Sequence, residues 1–405
     1  MLSALLFCGF LLPAAAHRFL FVSINIGHSH LAFSGQLADK LVEHGHEVDF
    51  MVSRMTSFVQ GNGSRLANVF HFTPKSSEEI NALMMQAPLY QDVFQHEVDI
   101  FSKEVMPLFT RAWELFGKDL LSDQELFERL KSRNYDAAIS EAFDSCAQVL
   151  FHKLGIKSTI GTVATPMSEV VTYSLGIPAL PSFVPVMNHS PERPLEMTFW
   201  ERVVNFYNYA HSNYETLPTM NAVFDKPGPL RDELLSTDFP SIIDLKANMA
   251  AIFLNTFELL DLPRPTLPHI RHVGGIALKQ PKKQMDAVNK REISETSVTA
   301  ALSQVLDDPQ YRRRAQELSR ALRNEASDRT ARFVRDVEFA TEFSAELTRQ
   351  RIPQLNLLVF YSVDVIAFFF LLAVCALAFF SFLLSAVLRF AFRSVTRPSE
   401  KPKVT

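Results

Sequence analysis

The spacing of apolar positions predicts alternating strands and helices through residue 276. Phe19 to Ile24 is a short continuous apolar run, as expected of a strand buried on both faces. Phe33, Leu37 and Leu41 then recur at i, i+4 and i+8, with Ala38 and Val42 beside them, so Leu31 to His44 reads as a helix. Gly45 follows at the usual C′ position, and Glu47 to Val52 is a second strand. Together these pieces form a βαβ unit. Residues 66–74 suggest a third strand and 76–133 a run of helices. Further strands are expected at 135–140, from 158 and at 250–255, with a strand end over 272–276 and a helix over 143–154 closed by Gly155. Strands alternating with helices imply the α/β class, with a parallel, doubly wound sheet.

Two stretches break this rhythm. Five prolines between 176 and 194 make a long loop. The helix that follows, Met197 to about Asn213, sets Trp200, Val203, Val204 and Tyr207 on one side. The plain expectation is a helix packed into the core; the alternatives are a wall of an acceptor pocket or a helix on a membrane surface. After 276 the character changes. Residues 279–294 are charged and lack an apolar period, which marks a linker, and 295–355 carries only helical patterning. Asp308-Pro309 suits an N-cap and first helical position. Arg312, Arg313, Arg314, Arg320, Arg323, Arg329, Arg332 and Arg335 read as a solvated face.

The two ends carry targeting signals. Residues 1–16 hold a short apolar core and Ala14-Ala15-Ala16, the pattern of a cleaved signal peptide. Within 357–388, Val365 to Leu388 is apolar apart from two serines and long enough to cross a bilayer. The basic tail 389–405 is expected in the cytosol by the positive-inside rule. The reading is a single-pass type I membrane protein with a lumenal body. Asn62-Gly63-Ser64 and Asn188-His189-Ser190 are glycosylation sequons, at Asn62 and Asn188. Cys8 and Cys375 fall in the two apolar ends, so Cys146 has no partner for an intrachain disulfide in the body. With a net charge of −4 over 405 residues, nothing points to nucleic acid.

The candidate chemistry sits in Asn25-Ile26-Gly27-His28-Ser29-His30, between the first strand and its helix, where parallel sheets place ligands. A helix N-terminus disfavours imidazolium, so a histidine there stays ready to accept a proton. His30 and His28 compete for that role. The acid orienting the base is expected after the strand 135–140, where Glu141 and Asp144 are the candidates. A metal held by His28 and His30 lacks further ligands, so no metal site is expected.

Four stretches carry a resemblance: HRFLFVSINIGHSHLAFSGQLADKLVEHGHEVDF, YDAAISEAFDSCAQVLFHKLGI, LNTFELLDLPRPTLPHIRHVGGI, and LDDPQYRRRAQELSRALRNE with FVRDVEFATEF and the C-terminal span. The chain resembles UDP-glycosyltransferases of the animal glucuronosyltransferase type, nematode members in particular. The resemblance implies a GT-B-type fold whose Rossmann-like N-terminal lobe, residues 17–278, binds a small lipophilic acceptor. It implies His30 as catalytic base and Glu141 as its partner, where family members usually have Asp; His28 and Asp144 would lie at the acceptor. The co-substrate would be UDP-glucuronic acid or another UDP-sugar, with no bound cofactor. The implied setting is the endoplasmic reticulum membrane, in homo- or hetero-oligomers with other family members. Lys401-Pro402-Lys403-Val404-Thr405 resembles a dilysine retrieval signal.

The resemblance also implies a second lobe with a Gly-rich turn, a phosphate-binding His and a uracil-stacking Trp. Here the last Gly is Gly275, the last His is His272 and the last Trp is Trp200. Cradling a diphosphate takes close backbone approach and free amides, usually supplied through Gly. The expectation is a truncated second lobe, joined near Lys282–Met285, with no identifiable donor-binding residues. Two function classes follow: a membrane-anchored transferase, and a non-catalytic acceptor-binding or regulatory partner of a full-length one.

Overall fold

The computed structural model describes residues 16–87, 102–187, 191, 193–226, 228–276, 299, 302–303, 306–326, 328–348, 357–360 and 363–395. The expected signal peptide (as far as residue 15), the sequon residue Asn188, the expected linker 279–294 and the tail beyond 395 lie outside the described residues. The chain divides into two compact units, 1–352 and 353–405.

The first unit begins with β1 (Arg18–Ile24), α1 (His28–Glu43), β2 (Glu47–Ser53) and β3 (Asn68–Phe72). Three helices follow: α2 (Ser77–Gln86), α3 (Met106–Ser122) and α4 (Gln124–Ser132). Then come β4 (Ala137–Glu141), α5 (Ser145–Lys153), β5 (Ser158–Val163) and α6 (Glu169–Leu175). Four helices, α7 (Phe199–His211), α8 (Leu217–Asp225), α9 (Pro229–Leu234) and α10 (Ile242–Ala247), precede β6 (Ala251–Leu254) and β7 (Ile270–His272). The unit ends with α11 (Pro309–Ala326) and α12 (Arg329–Thr348).

All seven strands join one parallel sheet in the order β3-β2-β1-β4-β5-β6-β7. The chain runs outward from β1 to β3 and then returns to β4 on the far side of β1. That reversal makes the β1–β4 seam a topological switch point, where adjacent connections part and leave a crevice beyond the carboxyl ends. β1 is apolar on both faces because helices cover both. Leu20, Val22 and Ile24 pack with α2, α3 and α5, while Phe19 and Phe21 pack with α1 and α12.

α12 completes the second face. Phe333 packs edge-on against Phe253, ring centres 4.8 Å apart. The Ser158 hydroxyl donates to the Ala340 carbonyl at 2.7 Å, and the Arg329 guanidinium lies 4.4 Å from the Phe257 ring centre. The late stretch of the chain is thus part of the first unit's core.

α7 departs from the core-packed expectation. Asn205 and Tyr209 are its buried side chains, whereas Trp200 is 73% exposed and Val203, Val204 and Tyr207 also face outward. Apolar periodicity defines a face without saying which way it turns. Here Asn205 sets the orientation, donating to the carbonyls of Pro181 and Val184 and accepting from the Val186 amide.

In the second unit, α13 (Leu357–Phe360) precedes α14 (Val363–Val395). Its Val365–Arg389 portion is long and apolar enough to cross a membrane.

Candidate active site

β1 ends at Ile24 and α1 begins at His28, so His30 sits in the first turn of α1 at the switch point. Glu141 is the last residue of β4, the neighbouring strand. Their side chains meet: His30 Nδ1 and Glu141 Oε1 are 2.7 Å apart across 111 residues of sequence. Phe143 stands edge-on to the imidazole, ring centres 5.9 Å apart, and limits how it can rotate. Gly27 leaves room for the ring. A Cβ there would come within 3.0 Å of His30 Cδ2. With Nδ1 held by the carboxylate, the other ring nitrogen, Nε2, is left to exchange a proton with a ligand.

Burial pushes the Glu141 carboxyl up, and the hydrogen bond and charge of His30 only partly offset it. Its Oε2 is buried and takes no protein hydrogen bond among the described residues. For His30, burial is the largest single influence and pushes down. The hydrogen bond and charge of Glu141 together outweigh it and hold the imidazole above its ordinary value of 6.5. Glu141→Gln removes the charge and leaves the burial, so the direction should reverse. Long-range ¹H–¹⁵N NMR of ring-labelled histidine, with the signal assigned by its loss in His30→Ala, should show an apparent pKa above 6.5 in wild type and below 6.5 in Glu141→Gln. Equal values in the two proteins would mean that the carboxylate does not tune the ring.

The other candidate residues have different surroundings. His28 is exposed at the start of α1. Asp144 is buried and accepts from the Ala147 amide as the N-cap of α5. Burial raises its carboxyl to about 6 and lowers the amine of nearby Lys246 to about 8. Asn62 lies exposed on a turn, while the sequon's Ser64 is buried with its hydroxyl donating to Asp39. No group of three or more potential metal ligands occurs among the described residues.

Two residues that shape the site have no clear sequence signal. Asn25 is fully buried at the end of β1. It accepts from the amides of Met55 and Thr56 and donates to the carbonyls of Thr56 and Val59, tying the segment after β2 to the approach to His30. Phe143 has its ring beside His30 and also walls a small pocket with Phe109, Trp113, Met220 and Val223. An Asn in a turn or a Phe after a strand is too common to single out from sequence.

The family described as UDP-glucoronosyl and UDP-glucosyl transferase matches residues 20–286 and 282–401. The chain belongs to this family. UDP-glucuronosyltransferase relatives include the Caenorhabditis elegans protein named ugt-48, 29% identical over 276 residues, covering 65% of this chain and 49% of that protein. The Bos taurus UDP-glucuronosyltransferase 3A1 is 27% identical over 294 residues, covering 69% and 52%. The chain spans about half the length of the curated relatives it matches. Among solved structures, Phytolacca americana UGT2 complexed with UDP-2fluoro-glucose and pterostilbene shares 15% identity and covers 64% of this chain and 54% of its own, with a TM-score of 0.33. The two family matches meet at 282–286, within the charged stretch that follows β7.

Proposed function

We propose that the chain supplies the acceptor half of a UDP-sugar-dependent glycosyl transfer site, within a GT-B-type N-terminal lobe. The reading rests on the 2.7 Å contact between His30 and Glu141 at the switch point. A small lipophilic acceptor lies against Phe143 with its hydroxyl at His30 Nε2. His30 takes the hydroxyl proton as the acceptor oxygen attacks the anomeric carbon of a glucuronosyl (or other hexosyl) donor. The bond from that carbon to the UDP oxygen breaks, UDP leaves, and the anomeric configuration inverts. Glu141 keeps the ring oriented and stabilises the imidazolium that forms. α14 anchors the chain in the endoplasmic reticulum membrane with the body in the lumen. Because Ser64 is engaged with Asp39 in the folded protein, glycan addition at Asn62 belongs to the time before this turn closes.

A second reading is favoured by one observation: residues 277–405 contain no Gly, His or Trp. With no Gly there to bring backbone amides against a diphosphate, the chain would bind acceptor and act as a partner of a full-length transferase. Calorimetry on the purified protein separates the two readings. The second expects acceptor binding with no saturable binding of UDP-glucuronic acid or UDP-glucose; micromolar donor binding would defeat it.

A further inference from the structure

The segment between β2 and β3 holds Asn62-Gly63, the one Asn-Gly pair in the sequence. Gly63 is there for its backbone. Its φ is +73°, and the Ser64 amide donates back to the Asn62 carbonyl at 2.8 Å, which closes a γ-turn across it. The turn lies on α1. A Cβ on Gly63 would come within 2.8 Å of Leu31 Cδ1 and 2.9 Å of the Leu31 carbonyl oxygen, and one on Gly35 would collide with the Gly63 backbone. Leu31 directly follows His30. Just beyond the turn, Asp39 of α1 accepts from the Ser64 hydroxyl and from the amides of Arg65 and Leu66.

Two side chains are lined up on the Asn62 carboxamide. Arg54 Nε donates to His71 Nδ1 at 3.2 Å, which leaves the ring proton on Nε2. His71 Nε2 in turn donates to Asn62 Oδ1 at 3.1 Å. Burial and the Arg54 charge hold the His71 pKa below its ordinary value, which favours this neutral form. A donor fixed on a carbonyl oxygen promotes addition at its carbon, because the negative charge that develops is already met. The nucleophile is next in the chain. The Gly63 amide donates to no acceptor among the described residues, no side chain of its own shields it, and Asn62 is exposed to water.

We propose that Asn62-Gly63 is a self-modifying site: in chains that fold without a glycan at Asn62, the Gly63 nitrogen closes on Asn62 Cγ, with His71 as the donor that promotes the step. The bond from Gly63 N to Cγ forms and the Gly63 proton passes to solvent. The Cγ–Nδ2 bond breaks, and Nδ2 takes up a proton and leaves as ammonia. Water then opens the cyclic succinimide at either carbonyl, giving aspartate or isoaspartate. Overall water replaces ammonia, and no other reactant is needed. Glycan and deamidation exclude each other, because a residue that has lost its amide nitrogen cannot be glycosylated. Isoaspartate routes the main chain through the former side chain and so lengthens it by a methylene. The tight seat of Gly63 on Leu31 and Gly35 has no slack for that. The product would therefore loosen α1 in the turn that follows His30, and mark aged, unglycosylated chains.

The full chain, purified in detergent from cells in which N-glycosylation is blocked, is held near neutral pH and followed by peptide mass spectrometry. Asn62 should gain the mass by which water exceeds ammonia faster than any other asparagine of the folded chain. A methyltransferase specific for isoaspartyl carboxylates should label the product with the methyl group of S-adenosylmethionine. His71→Val should slow the folded conversion about tenfold, the effect of one hydrogen bond to the reacting carbonyl, and leave the rate in urea unchanged. In the modified fraction, amide hydrogen exchange over 31–39 should quicken. An Asn62 that converts in urea and not in the folded chain overturns the proposal, since the turn would then protect the bond. So does conversion to aspartate with no isoaspartate, which would mean direct hydrolysis of the side-chain amide. An unchanged folded rate in His71→Val removes His71 from the step, and unaltered exchange over 31–39 removes the coupling to α1.

Discussion

His30→Ala should lower the rate of sugar transfer by about 10²- to 10⁴-fold, the usual contribution of a positioned general base. Acceptor affinity should stay within a few-fold, because the apolar wall around Phe143 is untouched. The contrast depends on His30→Gln. Alanine leaves the buried Glu141 without its partner, so a loss of activity there alone could reflect a disturbed seam. Glutamine can still donate to Glu141 and cannot act as a base near neutral pH. Both variants should therefore lose transfer to a similar degree, measured as kcat with a phenolic acceptor and UDP-glucuronic acid. Activity retained by His30→Gln would remove His30 from the base role and leave it a packing role.

The pH dependence of transfer follows from the same pair. In the proposed role His30 works only as neutral imidazole, and Glu141 holds the imidazole pKa above 6.5. Transfer should rise with pH through that raised value and level off above it. Because the two groups are hydrogen-bonded, the inflection belongs to the pair. Linkage gives the sign for stability: a histidine whose folded-state pKa is raised adds stability below its unfolded value, and that contribution fades as pH rises through the folded one. The conditions that give the neutral ring are therefore those in which its charge attraction to Glu141 is lost, while the Nδ1–H hydrogen bond to the carboxylate remains.

Much of this site was legible in the sequence because local pattern and topology agree there. A continuous apolar run, a 3.6-residue period and a Gly at C′ fix β1, α1 and β2, and parallel strands open on one edge whatever their order. Gly45, at φ +92°, adopts the left-handed conformation expected after the last turn of α1. That reasoning left Glu141 and Asp144 both open as the acid. One residue at a strand end and one three positions later differ in which way they point, and only the packed seam decides. Asp144 turns back to cap α5, and Glu141 turns toward His30. A strand end was expected over 272–276; β7 spans Ile270–His272, and its start was not legible because a three-residue edge strand is set by pairing with β6 more than by its own composition. The exposure of Trp200 was not legible for a different reason. An apolar stripe predicts burial only when the body has somewhere to put it, and the body meets α7 through Asn205.

Phe333→Ala should cost about 3–5 kcal/mol, the range for removing a large buried aromatic side chain. Phe333 is 1% exposed and packs edge-on against Phe253, itself fully buried on β6. Relaxation cannot readily fill the space, since the sheet on one side and α1 on another are held by their own hydrogen bonds. The substitution also asks what α12 does. Residues 329–348 could be a passive connection to the long apolar helix α14, or they could be the layer that closes the sheet's second face. The contacts favour the second view: Ser158 on β5, Phe253 on β6 and Phe257 beyond it each engage α12. Urea unfolding of the detergent-solubilised chain in a Trp200→Phe background, followed by the fluorescence of Trp113 on the opposite face, is the measurement. A single transition shifted to lower urea would mean that α12 folds cooperatively with the sheet. An unshifted Trp113 transition would mean that α12 peels away by itself, leaving a sheet stable without it. The first outcome carries a consequence for the family relationship: α12 would then be an integral layer of the lobe that holds His30 and Glu141, whatever length of chain stands between it and β7.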